Sequence, residues 1–127
     1  MNKFGLVCLF LFSSAIAWAQ PPNNDQVNAL DITALINGCS PDASYTTVAA
    51  TADGAAGSCW SNGPNYNVWF KFTATASQYI KVQVKTGGSE GTMQNPFVAL
   101  WDATLTQIGC QNYQGASTDI ETDYYGL

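Results

Sequence analysis

Apolar and polar residues alternate with period two in two stretches near the middle of the chain. Val68, Phe70 and Phe72 alternate with Trp69, Lys71 and Thr73. Ile80, Val82 and Val84 alternate with Lys81, Gln83 and Lys85. Successive side chains of a strand point to opposite faces, so each stretch presents apolar groups to a core and lysine to water. A short polar link over residues 74–78 joins them and predicts a hairpin, and Gly87-Gly88 ends the second strand. Residues 96–101 form a more continuous apolar run, the pattern of a strand buried on both sides. A turn over 102–106 and a short strand over 107–110 follow.

Upstream the pattern is weaker. Residues 29–36 alternate faintly and predict an edge strand. Gly38, Cys39 and Pro41 make a turn, and the Thr- and Val-rich residues 45–51 predict another strand. Residues 52–65 carry Gly54, Gly57, Gly63 and Pro64 and read as a long loop with Cys59 and Trp60 at its centre. Short strands between turn residues, with no helical period and no internal repeat, predict an all-β fold. The expected architecture is an antiparallel β-sandwich or jelly roll.

The first 19 residues have a different pattern. Lys3 precedes an apolar run from Phe4 to Phe12, and Ala17-Trp18-Ala19 is a small-residue exit. This is the three-part plan of a secretory signal, too short for a membrane span. The expected organisation is a signal over 1–19, a polar lead-in over 20–27 and a β-sandwich domain over 28–127. The expected location is secreted, outside the cytoplasm. Residues 123–127 read as the approach to another strand, so the domain is expected to continue into further residues.

Removing residues 1–19 from the 127 leaves 108, with three lysines, nine acids and a net charge of −6. Arginine and histidine are absent from the chain. That argues against a nucleic-acid partner, and it leaves no His-based triad, Cys–His pair or His-ligated zinc. Carboxylate chemistry and oxygen-ligated calcium remain open.

Cys39, Cys59 and Cys110 survive removal of the leader. Oxidising conditions favour a disulfide, and Cys39 with Cys59 is the expected pair. Closing a loop of about 20 residues stabilises by roughly 3 kcal/mol in the chain-entropy treatment. Cys110 is then left unpaired within the chain.

Several blocks resemble the bacterial pre-peptidase C-terminal-like domains. They are Asn24-Asp25, Cys59 in its Gly/Ser/Asn loop, residues 67–74 (NVWFKFTA), residues 97–102 (FVALWD) and residues 105–110 (LTQIGC). The resemblance spans nearly all the chain after the leader, and 67–74 is its most specific part. It implies a non-catalytic β-sandwich accessory module of a secreted or surface protein, often beside a peptidase. Asn67 stands where the family has Asp, and Gln111, Asn112 and Tyr113 replace an acidic pair. That departure lowers the expectation of calcium after Cys110.

Asp119, Glu121 and Asp123 alternate, so an extended strand would place them on one face as weak calcium candidates; a solvated acidic face is the simpler reading. Trp60, Tyr66 and Tyr113 stand in loops among Asn, Gly and Ser. Such aromatics can stack on a sugar or anchor a protein, or they can cap the ends of a core. Trp69 and Trp101 read as packing residues, and Lys71, Lys81 and Lys85 as a solvated face. No catalytic residue is assigned. The expected function is binding, adhesion or domain spacing. The alternative is an accessory domain of a peptidase or other hydrolase whose catalytic part lies beyond Leu127. Expected partners are downstream domains of the same polypeptide, and a glycan or surface protein.

Overall fold

The computed structural model describes residues 19–74, 79–113 and 119–125. The signal expected over 1–19 therefore falls outside them except for Ala19. The architecture is all-β, and among the described residues helix is limited to two single 3-10 turns, Gln26–Asn28 and Thr33–Leu35. The strands are β1 (Leu30–Asp31), β2 (Phe70–Lys71), β3 (Tyr79–Val84), β4 (Phe97–Trp101), β5 (Gln107–Asn112) and β6 (Ile120–Tyr125). They form three two-stranded ladders: β1 with β2 in parallel, and β3 with β6 and β4 with β5 antiparallel. No helix among the described residues is long and apolar enough to cross a membrane.

The hairpin expected between 68–72 and 80–84 does not form. Both stretches are extended, but β2 pairs with β1, while β3 pairs with β6 some 40 residues later. Part of the expected link, residues 75–78, lies outside the described residues. The side chains explain the choice of partner. The outward row of β3 is Tyr79, Lys81 and Gln83, and its register partners are Tyr125, Asp123 and Glu121. Opposite charges across a ladder favour pairing, and β2 offers only Lys71 at that position. The inward row pairs Ile80 with Tyr124, Val82 with Thr122 and Val84 with Ile120.

The strand expected over 45–51 is also absent. Local bonds satisfy the backbone there instead: the Val48 N–H donates to Thr46 Oγ1 (3.0 Å) and the Ala50 N–H to the Thr47 carbonyl (3.0 Å). Thr and Ser compete with ladders by this kind of bonding. Of the edge strand expected over 29–36 only β1 is extended. Asp31 Oδ1 accepts the Thr33 N–H at 2.9 Å and starts the 3-10 turn Thr33–Leu35.

The predicted turn between β4 and β5 is present and rests on Asp102. Its Oδ1 accepts the Thr104 N–H (2.8 Å), the Thr104 hydroxyl (2.7 Å) and the Thr106 N–H (2.9 Å). Its own N–H donates to the Thr106 carbonyl at 2.9 Å. The β4–β5 ribbon has two covered faces, which agrees with the continuous apolar run of β4. One face carries the pair Ala99 and Cys110, the other Leu100 and Gly109. The Leu100 side meets β6. A Cβ on Gly109 would lie 3.0 Å from Thr122 Oγ1 and 3.3 Å from Leu100 Cδ1, so the missing side chain lets the ladders approach. Leu100, Ile120 and Thr122 are buried around this point.

The polar lead-in is docked rather than loose. Asn23 and Asn24 are each only 5% exposed, a low value for amide side chains that is explained by their partners. Asn23 Nδ2 donates to the Trp69 carbonyl (3.0 Å), and the Trp69 N–H returns to the Asn23 carbonyl (2.9 Å). Asn24 Oδ1 accepts the Thr51 N–H at 2.7 Å, and its Nδ2 donates to Thr51 Oγ1 at 3.0 Å.

Filling the contact at Gly109 tests this packing. Gly109→Val should destabilise by about 1–3 kcal/mol through overpacking. The fall would be read as a lower midpoint in urea unfolding at unchanged slope. An unchanged midpoint would mean that β6 does not pack on β5 at that position.

Candidate functional site: a loop stapled to the β4–β5 ribbon

The long loop expected over 52–65 exists, and β5 holds it at several points. Ser58 and Gln107 exchange two bonds: the Ser58 N–H to Gln107 Oε1 (2.7 Å), and Gln107 Nε2 to Ser58 Oγ (2.6 Å). Cys59 is bonded to Cys110, with Cα atoms 5.9 Å apart. Asn112 Nδ2 donates to the Cys59 carbonyl at 2.9 Å.

The disulfide corrects the expected pairing of Cys39 with Cys59 and the unpaired status given to Cys110. Cys39 is an exposed free thiol. It follows Asn37, whose φ of 62° turns the chain at the surface. Proximity in sequence favoured the shorter loop, but bridging needs two Cβ atoms that face each other. Cys110 is held on the loop-facing side of β5, where Cys59 crosses. The observed bridge spans 51 residues.

Trp60 packs inward. Its N–H closes a turn onto the Gly57 carbonyl (3.0 Å), and its ring lies 5.9 Å from that of Phe97. A Cβ on Gly57 would lie 2.8 Å from Trp60 Nε1, 2.9 Å from Cys110 Sγ and 3.0 Å from Ala99 Cβ. Indole, disulfide and β4 thus converge on one glycine, so Trp60 caps the ribbon. Its Nε1 is buried and finds no hydrogen-bond partner among the described residues, as is also true of Trp69 Nε1. Trp69 is a packing residue, as expected: its ring covers Gly54, whose φ is 77° and where a Cβ would fall 2.5 Å from Cζ2.

Tyr66 is 71% exposed, just beyond the cis Gly63–Pro64 bond. Tyr113 is half-buried and follows directly on the end of β5. Of the three loop aromatics, then, Trp60 is committed to packing, Tyr113 is partly so, and Tyr66 is presented to solvent. The base of the loop is pinned by an amide clip that is not evident in the sequence. The Asp53 N–H donates to Asn67 Oδ1 (2.9 Å), and Asn67 Nδ2 donates to the Asp53 carbonyl (2.8 Å). Asp53 Oδ2 accepts the Gln26 N–H at 2.6 Å. The density of Asn and Thr near residues 23–28, 51–53 and 67 was the only sign of it.

The three calcium candidates lie on or beside β6, and Glu121 and Asp123 share the outward face as predicted. Each has partners within the chain. Glu121 bonds to Lys81 Nζ (3.2 Å) and Gln83 Nε2 (3.0 Å), Asp123 accepts the Tyr79 hydroxyl (3.2 Å), and Asp119 Oδ1 accepts the Thr86 N–H (3.0 Å) and Gly87 N–H (3.3 Å). The acidic face is therefore spent on β3 and the turn after it. No group of three or more potential metal ligands converges among the described residues. Lys85 approaches Glu90 at 3.7 Å, so of the lysines expected on a solvated face Lys81 and Lys85 make ion pairs, and Lys71 stands opposite Asp31 in the β1–β2 register.

Hydrogen bonds from Gln83 and then Lys81 lower the Glu121 pKa, and the same bond to Glu121 raises that of Lys81. Bonds from the Thr104 hydroxyl and the Thr106 and Thr104 amides lower that of Asp102. A carboxylate whose pKa is depressed on folding adds stability above its unfolded value, about 4. That contribution fades as pH falls through the folded value.

Two measurements follow from this site. In acid titration Asp102→Asn and Glu121→Gln should each flatten the loss of stability below about pH 4; identical acid limbs would show that these bonds do not persist in solution. Non-reducing peptide mapping should recover the Cys59–Cys110 peptide and label Cys39 alone. Cys110→Ser should cost about 4 kcal/mol in the chain-entropy treatment of a loop this long; a cost near zero would mean that the loop does not depend on the staple.

In comparisons with known proteins no family model, no curated protein and no solved structure matches the chain.

Proposed function

We propose that this chain is a non-catalytic binding or spacing module of a larger secreted or cell-surface protein. The observation that supports the reading best is the stapled loop. A polar loop held by a disulfide and paired amides presents Tyr66 to solvent on a β-frame. Ordering a loop before contact lowers the entropic cost of binding, and tyrosine offers a rigid amphipathic contact. The leader over residues 1–19 and a disulfide both suit an oxidising compartment. The likeness of residues 67–74 and 97–110 to pre-peptidase C-terminal-like domains supports the same role and a completed β-sandwich. The partner would be a surface glycan or a surface protein, contacted from the loop layer.

The second reading makes the chain an accessory domain of a peptidase or other hydrolase encoded in the same polypeptide. The absence of histidine favours a helper over a catalyst of the triad type. Deleting such a domain would reduce action on insoluble or surface-bound substrate and leave turnover of a small soluble substrate unchanged.

Immobilised chain should retain a glycan or surface protein, and Tyr66→Ala should weaken that capture about tenfold or more without shifting the unfolding midpoint. Trp60→Phe, by contrast, should alter stability more than capture. Capture that survives Tyr66→Ala but is lost on Trp60→Phe at intact stability would place binding elsewhere and overturn the reading.

A further inference from the structure

Asparagine is followed by glycine twice in the chain, at Asn37-Gly38 and Asn62-Gly63. An asparagine in this setting can lose its amide without an enzyme. The main-chain nitrogen of the next residue attacks the side-chain carbonyl carbon, and glycine permits the approach because it has no Cβ in the way. The two dipeptides are equivalent as sequence, and the fold separates them. Asn37 sits just past the 3-10 turn Thr33–Leu35, with a φ of 62°. The attacking atom of that pair is already engaged: the Gly38 N–H donates to the Leu35 carbonyl at 2.9 Å. Attack requires this bond to break, because its hydrogen has to leave and its nitrogen has to meet the side chain.

Asn62 lies in the stapled loop, between the Cys59 anchor on β5 and the Asn67 clip to Asp53. Asn62 and Gly63 are both exposed. Among the described residues neither the Asn62 side chain nor the Gly63 N–H makes a hydrogen bond. The nearest atoms that a Cβ on Gly63 would meet, Asn65 N and Trp60 Cε3, stand at 3.6 Å, so nothing crowds the amide. The φ of 119° at Gly63 suits glycine alone, so the backbone itself keeps this dipeptide in the loop. We propose that Asn62 is a site of spontaneous modification, converting to aspartate and isoaspartate with water as the only co-reactant, while Asn37 is retained. The Gly63 nitrogen gives its proton to solvent and forms a bond to Asn62 Cγ. The Cγ–Nδ2 bond breaks, ammonia leaves, and a cyclic succinimide remains. Water adds to either ring carbonyl and breaks its bond to nitrogen, giving aspartate by one opening and isoaspartate by the other. No electrons change hands. The product places a carboxylate, and in the isoaspartyl form an extra main-chain carbon, between Trp60 and Tyr66. The charge of the loop that presents Tyr66 therefore changes with the age of the molecule, whether or not the loop binds a partner.

The test is a time course of the folded, oxidised chain at mildly alkaline pH, read by peptide mapping with mass spectrometry and by isoaspartyl methyltransferase labelling. Residue 62 should convert at least about fivefold faster than residue 37, the factor expected when one main-chain hydrogen bond has to break first. Both aspartate and isoaspartate should appear. In guanidinium the two sites should convert at similar rates, because the Gly38 bond is lost. Asn62→Gln, whose longer side chain would need a larger ring, should abolish isoaspartate in the loop peptide. Equal or reversed rates in the folded chain overturn the proposal. So does a ratio unchanged in guanidinium, which would assign the difference to the neighbours Ile36 and Ser61 rather than to the fold. Aspartate as the only product would exclude the cyclic route, and isoaspartate persisting in the Asn62→Gln loop peptide would place the reaction elsewhere; either result overturns the assignment.

Discussion

The bond between Cys59 and Cys110 is the constraint on which most of the rest depends. The buried apolar residues are few: among the described residues they are Ala50, Leu100, Ile120 and the prolines Pro21 and Pro96. A small core cannot hold a long glycine-rich loop by burial alone, and small extracellular domains commonly add covalent staples for this reason. Here the staple sets the height of the loop above β5, Gly57 makes room for it, and Trp60 fills the space beside it. The loop thereby serves as a cover for the ribbon face that carries Ala99 and Cys110.

The second organising feature is the use of Asn, Asp and Thr side chains in place of ladder hydrogen bonds. Asn23, Asn24 and Asn67 each bond to the backbone of a segment far away in sequence. An unpaired buried amide would cost roughly 1–3 kcal/mol, so each such contact constrains its segment. These clips hold residues 20–28, 51–53 and 67–69 together with very little regular strand. They also explain why β1 and β2 need only two residues each.

Electrostatics arrange the far side. A chain with few cations gives Lys81 and Gln83 to Glu121, and the Tyr79 hydroxyl to Asp123. Exposed pairs of this kind add little stability, typically under about 1 kcal/mol, but they discriminate between registers. They turn an acidic row that resembled a cation site into the outward face of a ladder.

The sequence by itself determined which segments are extended at β3, β4 and β5, because period-two alternation and β-branched residues act locally. It also determined the Asp102 turn, the long loop, the all-β class and the outward placement of Glu121 and Asp123. Partners were decided only in three dimensions. Alternation says which way a side chain points and not which edge it meets, so β3 could be read with β2 when charge complementarity placed it with β6. The extended reading of residues 45–51 failed because hydroxyl-to-backbone bonds outcompeted a ladder. The Cys39 to Cys59 pairing failed because a disulfide is chosen by facing Cβ atoms, and the crossing of the loop over β5 is not written in any local pattern. Whether Trp60 or Tyr66 meets solvent was likewise a matter of what Gly57 allows beneath the indole, a contact between residues made neighbours by folding.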